Sequence, residues 1–106
     1  MLRILTLLFL LTPLAALAAD ADYTLIISGH QFQPSELTIP QGKKVRILIE
    51  NRDDTPEEFE SHTLNREKII AAHSSATLYV GPLDAGSYLF IGEYHAATAK
   101  GVIIAK

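Results

Sequence analysis

Leu37-Thr38-Ile39-Pro40-Gln41-Gly42-Lys43-Lys44-Val45-Arg46-Ile47-Leu48-Ile49-Glu50 is the stretch on which the fold class turns. Leu37 and Ile39 flank a polar Thr38, and Val45-Arg46-Ile47 alternates until Leu48. Alternation of period two puts one face of a strand in a core, whereas a helix would space its apolar residues by three and four. Between the two runs, Pro40-Gln41-Gly42 is a turn signal, with proline fixing φ and glycine accepting positive φ. Strand, turn, strand is therefore the local reading.

The same pattern continues outward. Upstream, Tyr23-Thr24-Leu25-Ile26-Ile27-Ser28 is rich in β-formers and stops at Gly29, with Phe32 and Pro34 beyond it. Downstream, Asn51-Arg52-Asp53-Asp54-Thr55-Pro56 is a loop by composition. Further strands are expected at Glu58 to Thr63, Arg66 to Ala71, Ala76 to Val80, Tyr88 to Ile91 and Gly101 to Ala105. Turn signals recur at the roughly 8–12-residue spacing of all-β domains. The expectation is an all-β, Greek-key β-sandwich or barrel of seven to eight short strands, antiparallel in its pairing. Ala96 to Lys100 is the one helix-like segment, and it is too short to matter. Thr63 to Lys68 reads as a single turn.

Residues 1–18 are read as an address. A short basic start, Met1-Leu2-Arg3, precedes an apolar run from Ile4 to Leu11, and Ala16-Leu17-Ala18 satisfies the small-x-small cleavage rule. The run is broken by Thr12-Pro13 and is shorter than the roughly 20 residues of a spanning helix. The expected organisation is a cleaved signal peptide over 1–18 and one exported domain over 19–106, with no membrane attachment after cleavage. The 106 residues include no cysteine, and Met1 is the only methionine. This excludes disulfides, zinc–thiolate and iron–sulfur sites, cysteine nucleophiles and thiolate-ligated copper. Nine basic against 12 acidic residues give no electrostatic case for nucleic acid. An exported domain of this size without disulfides has a modest core, so a bound metal is its candidate staple.

Oxygen and nitrogen donors concentrate in two segments, 57–67 and 93–95. Glu58, Glu60 and His62 stand at i, i+2 and i+4, and Glu93 and His95 repeat the i, i+2 spacing at the end of a later strand. On strands, such residues share a face. If the two strand ends meet at one pole, three or more O/N ligands converge. Mixed carboxylate–imidazole sites suit Fe(II)/Fe(III), Cu(II), Mn or Zn. Carboxylates clustered without a nearby cation are costly, which favours the ligand reading, although an acidic run after a polar loop also describes a solvated strand edge. His30 and His73 lie in loop contexts outside these segments and are read as non-ligands, with a ligand role for His30 left open because it precedes the Phe32-Gln33-Pro34 strand.

In this order and spacing the chain resembles the cupredoxin family. Phe32-Gln33-Pro34-Ser35-Glu36-Leu37-Thr38-Ile39-Pro40-Gln41-Gly42-Lys43-Lys44-Val45 resembles its opening strands, and Asn51-Arg52-Asp53 its N-x-D. Phe90-Ile91-Gly92-Glu93-Tyr94-His95 stands where the family has F-x-C-x-x-H, and Gly101-Val102-Ile103-Ile104 resembles its last strand. Gly92 occupies the place of the copper-binding cysteine and no methionine precedes Gly101, so the resemblance does not imply type 1 blue copper. Glu58-Phe59-Glu60-Ser61 and Asn65-Arg66-Glu67-Lys68 narrow the resemblance to the cupredoxin-like proteins of bacterial iron-uptake systems, of the EfeO and FtrB types. That implies a periplasmic protein binding iron and/or Cu(II), assisting ferrous-iron oxidation or delivery, with an iron permease or periplasmic iron-binding protein as partner. The implied ligands are Glu58, Glu60, Glu93 and His95, with Glu57, His62 and Glu67 as a wider set. The register stays open. Glu57 takes the ligand place if Pro56 aligns with the family's proline, whereas the Glu-Phe-Glu resemblance favours Glu58 and Glu60. Copper delivery unrelated to iron and a metal-free interaction module are the alternative functions.

Overall fold

The computed structural model describes residues 21–106, and the expected signal segment lies outside them. Nine strands follow in order: β1 (Tyr23–Ser28), β2 (Gln31–Gln33), β3 (Glu36–Ile39), β4 (Val45–Asn51), β5 (Glu57–Ser61), β6 (Arg66–Ile70), β7 (Ser75–Val80), β8 (Gly86–Gly92) and β9 (Lys100–Ala105). They form a four-stranded sheet ordered β2-β1-β4-β7 and a five-stranded sheet ordered β3-β9-β8-β5-β6. The chain changes sheet after β2, β3, β4, β6 and β7, which gives a Greek-key sandwich. The all-β expectation holds, with one strand more than expected.

Not every pairing is antiparallel. β1 pairs β4 in parallel, and β3 pairs β9 in parallel. Each parallel pair joins strands whose connection passes through the opposite sheet, so neither is legible from local sequence.

The alternation of β4 is fulfilled, and extended. Val45, Ile47 and Ile49 are buried, and the same period carries Asn51 inward. Asn51 is tolerated there because its amide is used. Nδ2 donates to the carbonyls of Thr55 (2.9 Å), Ile70 (3.2 Å) and Ala71 (3.3 Å), and Oδ1 accepts from the Asp53 N–H (3.0 Å). A buried amide with satisfied donors and acceptor is no liability, and here it holds the β4–β5 loop in shape just before Glu57.

Three phenylalanines join the sheets beneath that loop. Phe32 meets Phe90 edge-on with centroids 4.9 Å apart, and Phe90 stacks on Phe59 at 4.9 Å. Both geometries suit the aromatic quadrupole. β9 passes so close to Phe90 that position 101 has no room for a side chain. A Cβ on Gly101 would run into the Phe90 ring and approach the Ser35 carbonyl oxygen to 2.8 Å.

Candidate metal centre

The site grows out of three connections that meet at one end of the sandwich. The β1–β2 turn is two residues long, Gly29 and His30, both at positive φ. That pair of angles is the twist-matched hairpin turn. Asp53, from the β4–β5 loop, seals it: its carboxylate accepts the N–H of Gly29 (2.8 Å) and of His30 (2.9 Å). The His30 N–H bond is the main cause holding the Asp53 carboxyl below its ordinary pKa. Burial opposes the shift, and the Gly29 bond and the nearby His30 and His95 add to it. The third connection is the one-turn 3-10 helix Glu93–His95 after β8, followed by Thr98. The Thr98 hydroxyl donates to the His30 carbonyl (2.8 Å), and the N–H groups of Thr98 and Ala99 donate to the His95 carbonyl (3.0 and 2.8 Å).

Glu57 sits inside this junction, 1% exposed. Its Oε1 accepts the N–H of Tyr94 (2.9 Å) and of Glu58 (3.0 Å), and its Oε2 lies 2.6 Å from His95 Nδ1. An acceptor-only carboxylate facing Nδ1 places the ring proton there, which leaves the Nε2 lone pair for a cation. The carboxylate lies directly over Gly92. A Cβ at that position would come within 2.7 Å of Glu57 Cδ, 2.9 Å of its Oε1 and 2.6 Å of the Ala99 Cβ. A residue with a side chain at 92 and Glu57 in this position exclude one another. His30 completes the junction, its ring centroid 3.6 Å from that of His95 at 59°.

The sequence-derived residues therefore divide between two faces. Glu57 and Phe59 point inward from β5, and Glu58 and Glu60 point outward, because neighbours on a strand alternate. Glu58, Glu60 and Glu67 bring ligand atoms within 4.8 Å of one another on the outer face. Glu60 and Glu67 are direct cross-strand partners, and His62 Nε2 reaches Glu60 at 3.6 Å from the exposed turn beyond β5. Glu93 joins this outer group, its carboxyl close enough to Glu60 to raise the Glu60 pKa. The expectation that Glu93 and His95 share a strand face is corrected. They lie in a 3-10 turn, where residues i and i+2 point apart, so Glu93 serves the outer face while His95 serves Glu57. The reading of His30 as remote from the donor segments is corrected as well, since it touches His95. His73 donates its N–H to the Asp53 carbonyl (3.1 Å).

The outer carboxylates repel one another. The Glu93 carboxyl on Glu60 is the main cause raising the Glu60 pKa above its ordinary value. Burial and the charges of Glu93 and Glu67 add to this, and His62 opposes it. A carboxyl with a raised folded-state pKa favours the fold below its unfolded pKa, and that advantage is lost as pH rises through the folded value. Glu60→Gln is therefore expected to raise the urea midpoint at pH 7 in the absence of metal. The gain should vanish below about pH 4, where wild type is protonated too. A Glu60→Gln protein no more stable than wild type at pH 7 would count against the repulsion.

Comparison with known proteins follows the same geometry. The cupredoxin-like domain family matches residues 1–105. The chain belongs to this family. A curated relative, the uncharacterised protein RP394 of Rickettsia prowazekii (strain Madrid E), is 45% identical over 83 residues, covering 78% of this chain. The cupredoxin-like chain spans 66% of that relative's length. Among solved structures, amicyanin from Paracoccus versutus superposes with TM-score 0.63 at 18% identity, over 83% of each chain. Reduced auracyanin from Roseiflexus castenholzii superposes with TM-score 0.66 at 14% identity, over 83% of this chain and 98% of its own. At such identities the likeness is one of fold.

Proposed function

We propose that this cupredoxin-like protein is an exported, periplasmic metal-binding protein of a bacterial iron-uptake system. In this reading it holds Cu(II) or iron at the Glu57–His95 junction and assists the oxidation of ferrous iron or its delivery to an iron permease. The observation that carries the reading is the buried Glu57 carboxylate fixed on His95 Nδ1 at 2.6 Å. Carboxylate–imidazole pairs of this kind orient a ligating histidine. The donors also fit the cation class. With oxygen and nitrogen but no thiolate, the junction suits Cu(II) or iron and does not suit type 1 copper. A carboxylate in a low-dielectric setting stabilises the more highly charged ion by Coulomb attraction, which favours Fe(III) over Fe(II). Oxidising Fe(II) releases one electron, which an acceptor outside this chain must take.

A second position is favoured by its own observation, the 4.8 Å clustering of Glu58, Glu60 and Glu67 on the outer face. Titrating the mature protein with Cu(II), and with Fe(II) under air, distinguishes the two. The expected result is binding at micromolar metal that His95→Ala weakens by about 10–100-fold or more and that Glu60→Ala leaves intact. Loss with Glu60→Ala alone would move the site to the outer face. No binding by wild type would overturn the metal-binding reading.

A further inference from the structure

His30 has a buried nitrogen with nothing to bond. Among the described residues, its Nδ1 is the one buried side-chain nitrogen or oxygen without a hydrogen-bond partner. Such orphans are rare, because a buried polar atom deprived of both water and a partner costs the domain stability. His30 sits in the β1–β2 turn and is half-buried, yet this atom is shut away from solvent.

The surroundings hold the His30 backbone where it is. Asp53 fixes the His30 N–H and Thr98 fixes its carbonyl, at 2.9 and 2.8 Å. Through its own N–H, Thr98 also ties down the His95 carbonyl, so the two histidine backbones share one clamp. The backbone at His30 is left-handed, φ +57°, a region in which histidine, asparagine and aspartate are enriched among residues with a Cβ. The ring meets His95 with centroids at 3.6 Å and planes inclined at 59°, which is not a parallel stack. Two imidazoles, one with a free buried nitrogen and the other with its Nδ1 committed to Glu57, stand side by side at one junction. Two imidazole nitrogens not engaged by any protein hydrogen bond, His30 Nδ1 and His95 Nε2, are thus brought to one junction.

We propose that His30, from the β1–β2 turn, is a second imidazole ligand of the cation held at the Glu57–His95 junction. This rests on the metal reading of that junction and adds to it a donor from a connection remote from the β5 and β8 segments. It also gives the Asp53 and Thr98 clamps a purpose, since they hold two ligand-bearing turns in register.

The test is Cu(II) added to the mature protein and read by electron paramagnetic resonance, alongside a binding titration. His30→Asn removes the imidazole and keeps a side chain that accepts left-handed φ. His73→Asn is the matched control, because His73 also has positive φ, at +50°, but lies outside the junction. Wild type should show nitrogen hyperfine structure from two imidazoles. His30→Asn should lose one of them and bind at least about tenfold more weakly, and His73→Asn should match wild type. If His30→Asn keeps both nitrogens and full affinity while His95→Ala loses them, the His30 assignment falls and the junction reading survives. If wild type binds no Cu(II), or His95→Ala changes nothing, the junction reading itself falls. Unaltered protein answers independently of any folding defect. Zn(II) added to 15N-labelled chain should move the ring signals of both His30 and His95, and movement of His95 alone overturns the proposal.

Discussion

Replacing Gly101 by alanine is expected to destabilise the domain by about 3 kcal/mol, at the upper end of what overpacking costs a core. For a domain of this size that corresponds to a melting temperature lower by roughly 10–20 °C. The methyl group would enter the Phe90 ring on one side and meet the Ser35 carbonyl oxygen at 2.8 Å on the other. Neither neighbour can yield cheaply. The Ser35 carbonyl accepts the Val102 N–H at 2.8 Å, so moving it breaks the tie between β3 and β9. Phe90 is 1% exposed and locked between Phe32 and Phe59. The partner to relax is the ring, and this makes the effect separable. In a Phe90→Leu background the additional cost of Gly101→Ala should fall to about 1 kcal/mol, a coupling of the size expected for residues in contact. Thermal or urea unfolding of the four proteins measures it. Equal costs in both backgrounds would show that the backbone, not the ring, sets the requirement for glycine.

Sheet architecture was legible to different depths along the chain. Residues 37–39 and the first half of β4 announced themselves by period two, because half-buried strands must alternate, whereas Asn51 read as loop. The pairing partners did not, since the parallel contacts of β1 with β4 and β3 with β9 are decided by closure of the sandwich. The donor set shows the same limit. Parity alone places Glu57 on the Phe59 side and Glu58 and Glu60 on the other, so the sequence contained the division between the two faces. What it lacked was the side on which His95 would arrive. That depends on a 3-10 turn three residues long, Glu93–His95, whose local sequence scarcely differs from strand continuation. His30 was hidden for a similar reason. Only the folded sandwich brings the β1–β2 turn beside the β8–β9 connection, and the one local hint was Gly29-His30 as a two-residue hairpin turn. Asn51 and Asp53 were recognised as a motif. The structure supplies its reason: one braces the loop from within and the other caps the His30 turn.

Glu57→Gln should weaken Cu(II) binding by about 10–100-fold while leaving every other side chain at the junction in place. The substitution keeps shape and removes charge. In wild type, both carboxylate oxygens accept: Oε1 from two backbone N–H groups and Oε2 from His95. Glutamine has one oxygen and one NH2. If the oxygen stays on the Tyr94 and Glu58 N–H groups, the NH2 faces His95 Nδ1 and can pair only with an unprotonated nitrogen. The ring proton then moves to Nε2, the atom left for the cation. If the amide turns over, two backbone donors face an amide donor, which costs about 1–3 kcal/mol. Either way the variant loses something no volume change explains. Ring 15N signals of the metal-free proteins should place the His95 proton on Nδ1 in wild type and on Nε2 in a folded Glu57→Gln variant. Copper affinity should fall with that exchange. A folded variant that keeps both the wild-type tautomer and the wild-type affinity would remove Glu57 from the proposed centre. A side chain at position 92 could not coexist with Glu57 in this position, because the carboxylate occupies the space that a Cβ on Gly92 would need. The carboxylate and a thiolate at 92 are thus alternative ways of filling the same volume, and this chain has taken the first.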